Sequence, residues 1–346
     1  MRVGIIGCGK IAQIRHIPEY SENPQAELAG YYDFNLERAE ELAKRYGGKA
    51  YTSVEEMLAD GTIDAVSVCV ANNAHAEISL KALNAGKHVL CEKPMATVIE
   101  DCEAMVKAAK ENNRYLMIGQ NQRMARAHVK AKELLQSGAI GKIITFRTTF
   151  GHSGPETWSI DGGTQSWFFD KTRASMGAMA DLGVHKTDLI QYLTDGKVTS
   201  VQSIVTTLDK KYPNGELVSV DDNAICIYQL DNGVLGTMTA SWTYYGQEDN
   251  STVIYGTDGI MKIYENPQYS IEVIHANGEK TFYALDKIQT NDNQTKSGII
   301  DEFVEAVTNN REPSISGSSV LAAMRAVFAS MESSKTGRKI EINQED

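Results

Sequence analysis

Glu92-Lys93-Pro94 follows directly on an apolar run, His88 to Cys91, which Ala85-Gly86 separates from a preceding helical stretch. A short apolar run bounded by a helix stop and a proline reads as a strand. Pro94 ends it, because proline offers no ladder donor and restricts the residue before it. Ligands of open α/β sheets sit at the carboxyl ends of the strands, so Lys93 is placed as a positioned cation rather than a solvated charge. Nearly all cis peptides precede proline, and a cis Lys93–Pro94 bond suits such a corner. A second chemical pair lies in Gly177-Ala178-Met179-Ala180-Asp181-Leu182-Gly183-Val184-His185-Lys186-Thr187-Asp188. Four residues apart on a helix, Asp181 and His185 share one face. A carboxylate one turn from an imidazole can orient the ring and stabilise its protonated form, which suits a general base. Asp188 falls near the same stripe. The residues alone also allow a helix-capping Asp181 beside a structural His185. Asp-x3-His-x2-Asp has too few soft ligands for a metal centre, and no metal is expected.

The elements that must position these groups begin at once. Arg2 to Ile6 is a short apolar strand, followed by Gly7-Cys8-Gly9-Lys10-Ile11-Ala12, a G-x-G-x-x-A pattern. Its first glycine allows a tight turn, the second lets backbone approach a pyrophosphate, and the small third residue permits close helix–strand packing. The phosphates would sit on the N-terminus of the helix opening near Lys10 and Ile11. A second strand, Glu27 to Tyr32, ends on Asp33, where a carboxylate accepts hydrogen bonds from a ribose diol and repels a 2′-phosphate. Phe34-Asn35 supply no cation beside it, so NAD is expected over NADP; Arg38 is placed to reach the adenine end. Ala65 to Val70 reads as a central parallel strand buried on both faces, leading into Ala71-Asn72-Asn73-Ala74-His75. Helices at 37–46, 54–60, 76–85 and 99–112 alternate with these strands and with Tyr115 to Ile118. The fold class is α/β: a doubly wound parallel sheet over residues 1–121.

Past Gly119 the pattern changes. After a helix at 127–137, strand-like runs prevail at 142–150, 198–208, 223–230 and 236–242. Asp231-Asn232-Gly233 and Ala276-Asn277-Gly278 are hairpin signals. Residues 122–346 thus read as an α+β domain on a large, mostly antiparallel open sheet, with apolar helices at 299–308 and 319–334.

A formal net charge of −11 excludes nucleic acid and anionic membrane surfaces as expected partners. Five scattered cysteines without a CxxC pair point to a reducing compartment, and no apolar run is long enough to span a bilayer. A cytoplasmic location is expected.

The G-x-G-x-x-A start, Asp33, Asn72 with His75, and the Ala-Gly-Lys-His-Val…Glu-Lys-Pro block together resemble the glucose–fructose oxidoreductase/inositol dehydrogenase family, often called Gfo/Idh/MocA. Asp181, Gly183, His185 and Asp188 match that family's Asp-x-Gly-x-His-x-x-Asp run, and the resemblance extends through Glu302 to Ala306 and Thr336-Gly337-Arg338. Two segments depart from it: Val70-Ala71 stands where the family has Thr-Pro, and Ala174 to Gly177 keeps one glycine of the usual two or three. The resemblance implies that Lys93, Asp181 and His185 form the catalytic group, that Glu92 and Asn72 position nicotinamide and ribose, and that His75 supports their loop. It also aligns Arg123 with an arginine of the family and implies terminal helices at the domain junction. Self-association through the open sheet, as a homodimer or homotetramer, is implied as well.

Hydride transfer from a secondary alcohol needs a base, a cation for the alkoxide and a bound nicotinamide. The expected roles are His185 as acid/base, Asp181 as its orienter or as a bond to the hydroxyl, and Lys93 as the cation. Arg123, Trp167, Asp170 and Tyr244 are the candidate substrate contacts, with His152 and Arg173 nearby in sequence. No Arg/Lys cluster marks a phosphorylated substrate, so a neutral sugar, cyclitol or polyol is expected. Within the resemblance, a redox-neutral NAD-dependent glycoside-cleaving or isomerising enzyme and a non-enzymatic NAD-binding sensor are the alternatives.

Overall fold

A computed structural model of the chain describes residues 1–160, 162–287 and 296–344. They fall into two units: residues 1–121 with 296–321, and residues 122–287 with 322–344. The helix Ile299–Thr308 and the start of the helix Gly317–Thr336 therefore belong with the first unit.

The first unit is built on β1 (Arg2–Ile6), β2 (Glu27–Tyr32), β3 (Lys49–Ala50), β4 (Ala65–Val68), β5 (His88–Cys91) and β6 (Leu116–Ile118), in the order β3-β2-β1-β4-β5-β6. Every pair is parallel. All four residues of β4 are buried whichever way they point, because a parallel sheet carries helices on both faces. The order reverses between β1 and β4, so the loops after β1, β4 and β5 leave from one edge, where such sheets bind ligands. Helix starts are locally encoded: Asn35 accepts from the Arg38 N–H and Ser53 from the Glu56 N–H, caps worth about 1 kcal/mol each.

The second unit carries β7 (Ile143–Gly151), β8 (Val198–Thr206), β9 (Asn223–Leu230), β10 (Leu235–Ser241), β11 (Thr252–Gly256), β12 (Gly259–Ile263), β13 (Ile271–His275), β14 (Lys280–Tyr283) and β15 (Ile340–Glu341). They form one nine-stranded sheet, β14-β13-β12-β11-β7-β10-β9-β8-β15, antiparallel except for the β7–β10 pair. Along β9 burial alternates strictly: Ala224, Cys226, Tyr228 and Leu230 face inward, Ile225 and Ile227 outward. Helices Val184–Thr194 and Gly317–Thr336 cover the inner face, where the Tyr228 hydroxyl meets Thr187 and Ser330 at 3.0 and 3.2 Å. Most expected elements stand within one or two residues of their reading, and the β11–β12 hairpin is added. Among the described residues no helix is long and apolar enough to cross a membrane.

One departure touches the chemistry. The stretches Ala12–His16 and Met179–Gly183 are wide π turns rather than regular α-helix. Such turns concentrate at functional positions, and each here lies in a segment that carries candidate residues.

Candidate active site

In the first unit, Gly7 holds φ +90°, and a Cβ there would lie 2.6 Å from the Cys69 carbonyl oxygen, so no side chain fits. Gly9 differs: a Cβ built on it meets nothing within 4 Å. The turn thus closes tightly against β4 at its first glycine and opens to solvent at its second, beside the helix that begins at Lys10. Asp33, at the tip of β2, accepts from the Cys8 and Asn35 backbone N–H groups, both at 2.8 Å. Arg38, expected toward the adenine end, lies with Nη1 3.4 Å from the Asp33 carboxylate. Lys10 and Ile11 are half-buried at the helix start. A glycine turn with one open side and a β2 carboxylate tied to that same turn fit an adenine dinucleotide. Burial and the Asp33 charge push the Cys8 thiol up to about 12, which leaves it inert.

The loop after β4 and the turn after β5 are clasped by one imidazole. His75 is buried, with Nδ1 2.7 Å from the Pro94 carbonyl oxygen and Nε2 3.1 Å from that of Val70. Burial holds its pKa below the ordinary value against the pull of those carbonyls and of Glu92. His75 therefore supports the loop, while Asn72 is buried at the head of the short turn Asn72–Ala74. The Lys93–Pro94 bond is cis. Lys93 is half-buried and its backbone N–H lies 3.2 Å from Glu92 Oε2.

Glu92 has neighbours that the sequence did not reveal. Its Oε1 lies 2.9 Å from His16 Nε2 and 3.7 Å from Arg15 Nη1, and a side chain on Gly119 would press against its carboxylate. Burial raises the carboxyl pKa, but the His16 hydrogen bond and the charges of His16, Arg15 and Lys93 outweigh it, so Glu92 lies well below the usual range.

In the second unit, Asp181 lies in the π turn Met179–Gly183 and His185 in the following helix, both more than nine-tenths buried. The wide turn alters the simple one-turn spacing expected of the pair, since π hydrogen bonding skips one residue further than α. Asp181 Oδ2 accepts from the Trp242 indole N–H at 3.0 Å and lies 3.7 Å from His152 Nε2. The Gly154 N–H points at His152 Nδ1 at 2.9 Å, making that nitrogen an acceptor and putting the ring hydrogen on Nε2, toward Asp181. The His185 ring tilts against Phe150 at 6.2 Å between centroids. The start of this segment is held by Asp221, whose two carboxylate oxygens accept from the Gly177 and Met179 N–H groups, each at 2.7 Å.

The candidate substrate contacts divide. Trp167 stacks on Phe168 at 4.0 Å, Phe168 meets Trp158 edge-on, and Trp158 meets His152, so an aromatic wall leads to the Asp181 carboxylate. The Tyr244 ring packs over Gly151, where any Cβ would collide with it. Asp170 instead caps the short helix Lys171–Ala174, accepting from the Thr172 N–H and hydroxyl. Arg123 forms a buried two-pronged ion pair with Asp188, Nε to Oδ2 at 2.7 Å, and leans on the Tyr192 ring. That pairing engages both the expected substrate arginine and the Asp188 of the His185 stripe. His16, Arg15, Trp242, Trp158 and Asp221 went unread in the sequence. The available signal was polar or aromatic residues within otherwise apolar stretches.

A 3-2-1-4-5-6 parallel sheet with this glycine turn and acidic strand tip defines a dinucleotide-binding Rossmann domain, joined here to a large antiparallel-sheet domain. The chain belongs to the GFO/IDH/MocA oxidoreductase family. Residues 1–120 match its NAD-binding Rossmann domain and residues 128–262 its C-terminal domain. The protein is accordingly an NAD-binding oxidoreductase. It is 34% identical over 245 residues to levoglucosan dehydrogenase of Pseudarthrobacter phenanthrenivorans, covering 65% of this chain and 62% of that one. It is 25% identical over 350 residues to myo-inositol 2-dehydrogenase of Thermotoga maritima, covering 99% of both. A structure of levoglucosan dehydrogenase in complex with NADH and levoglucosan superposes with a TM-score of 0.87 at 26% identity, over the full length of both chains.

Proposed function

We propose that the protein oxidises a secondary hydroxyl of a sugar, cyclitol or related polyol, with NAD as oxidant. The observation that carries this reading is Lys93 at the carboxyl tip of β5, on the sheet edge that also bears the Gly7–Gly9 turn. The relatives named for levoglucosan and myo-inositol support the substrate class, and the Trp167–Phe168–Trp158 wall offers faces on which sugar C–H surfaces stack.

Bound nicotinamide supplies the hydride acceptor. Gly7, Gly9, Lys10 and Ile11 hold the pyrophosphate end, Asp33 the ribose, and Asn72 and Glu92 orient the nicotinamide half. His185 takes the hydroxyl proton as the carbinol hydride leaves. Asp181, kept in place by Trp242 and His152, orients that exchange, and the Lys93 ammonium stabilises the developing alkoxide. The five free cysteines are all buried, in keeping with work in the cytoplasm. Ile204, Ile225 and Ile227 lie exposed beside one another on the outer face of β8 and β9, in keeping with a homo-oligomer.

The test is NAD reduction over a panel of polyols, sugars and glycosides, repeated with Lys93→Ala and His185→Ala. Both variants should bind NADH and lose at least about a hundredfold in turnover. Near-normal turnover in either would refute the assignment.

A further inference from the structure

We propose that His16 is a positioning residue for Lys93, acting through the buried carboxylate of Glu92. The inference rests on the reading of Lys93 as the alkoxide-stabilising cation. A hydrogen-bonded file runs through the interior of the first unit: Tyr20 hydroxyl to Ser67 Oγ at 2.9 Å, Ser67 Oγ to His16 Nδ1 at 3.2 Å, and His16 Nε2 to Glu92 Oε1 at 2.9 Å. Tyr20, Ser67 and His16 have no solvent-accessible surface, and Glu92 is 5% exposed.

Burial pushes the Tyr20 phenol far above its ordinary pKa, so it remains a permanent O–H donor, and Ser67 is the partner the structure gives it. His16 Nε2 faces an ionised carboxylate, which can only accept, so that nitrogen carries the hydrogen of their bond. His16 is thereby a fixed donor that holds one Glu92 oxygen, while the other faces the Lys93 backbone N–H.

The groups that share electrostatics with Glu92 come from every element around it. They are Arg15 and His16 from the first helix, Cys69 after β4, His75, and Cys91 and Lys93 on its own strand. Burial raises both thiols, so neither carries charge near neutrality. Glu92 is therefore the single anion in this set, and the file that ends on it fixes where that charge sits relative to Lys93.

The test uses cofactor-free protein labelled with 13C at the lysine ε-carbon, the Lys93 signal being identified by its loss in Lys93→Arg. Removing an adjacent opposite charge shifts a titration by about one pH unit or more. Glu92→Gln should move the Lys93 midpoint to lower pH by about that amount, and His16→Leu, which releases the carboxylate but keeps its charge, should move it in the same direction by less. His16→Gln, whose amide keeps an N–H on Glu92, should stay within about 0.3 of wild type. In the active enzyme the alkaline limb of kcat/KM should move in the same direction, with NADH affinity held. Wild-type titration in Glu92→Gln or His16→Leu, or equal damage from His16→Gln and His16→Leu, overturns the proposal. Should His16→Leu fail to fold, His16→Met, which likewise offers Glu92 no donor, takes its place. Full turnover by Lys93→Ala would instead overturn the functional reading, while the labelled-lysine series would still judge the charge coupling itself.

Discussion

Lys186, one residue beyond the candidate base, is a fully buried lysine whose ammonium lies 6.0 Å over the Phe150 ring that His185 also tilts against. Its Nζ donates to the Asn250 carbonyl at 2.9 Å and lies 3.4 Å from Thr252 Oγ1. Burial pulls its pKa from 10.5 down to about 7, against the opposing charges of Asp249 and Glu248. That fall corresponds to roughly 5 kcal/mol of differential stability between the two protonation states. The folded protein binds fewer protons at this site than the unfolded chain between about pH 7 and 10. Stability therefore rises with pH across that window, and the cost is fully present below it. Lys186→Met removes the charge and leaves the Asn250 carbonyl short of one donor, a pH-independent loss of about 1 kcal/mol. The variant should be the more stable protein at pH 6, by about 4 kcal/mol, and should lose that advantage by pH 10. Urea unfolding of both proteins at pH 6, 8 and 10 measures it. His128, pushed down to about 3 by burial and by the Lys186 charge, should titrate higher in the variant. A stability difference that is the same at pH 6 and pH 10 would refute the reasoning.

Four further outcomes are expected. Gly7→Ala forces a side chain into positive φ and onto the Cys69 carbonyl and should cost about 2 kcal/mol or more in urea unfolding. Gly9→Ala, where space is open, should unfold within about 0.5 kcal/mol of wild type yet bind NADH about tenfold more weakly by fluorescence titration. Asp221→Ala strands two buried N–H groups and should lose about 2–5 kcal/mol of stability, with Asp221→Asn, which keeps one acceptor, losing about half as much. Trp242→Phe removes the donor to Asp181 and should lower kcat/KM about tenfold or more at unchanged NADH affinity, since a hydrogen bond to a charged group is worth about 1.5–3 kcal/mol.

What could be read from the sequence was whatever local spacing encodes. The alternation of β9, the apolar run of β4, the Gly7–Gly9 turn and the cis Lys93–Pro94 corner each depend on neighbours within a few positions, and each is present. Partnerships across the chain left no such trace. His16 and Glu92 are 76 positions apart and Arg123 and Asp188 are 65 apart, so nothing near either residue announces the other. Arg123 and Asp170 looked available for substrate because an isolated charged residue resembles a ligand contact until its partner is known. Asp221 went unread because the N–H groups that donate to it lie over forty positions earlier. The π turns were missed for a related reason: whether a helix absorbs one extra residue is decided by what its two ends must touch.

The wide turn at Met179–Gly183 ties His185 to an indel-sensitive frame. Excising one residue there would restore a regular α-helix and swing everything downstream by about 100° around the axis, carrying His185 off its present bearing while Asp221 still gripped the segment's start. Substitutions along this stretch change one side chain at a time; a one-codon deletion would reorient the whole downstream helix in one step. Paralogues that differ by such a gap should therefore diverge in chemistry abruptly, even where every functional residue type survives.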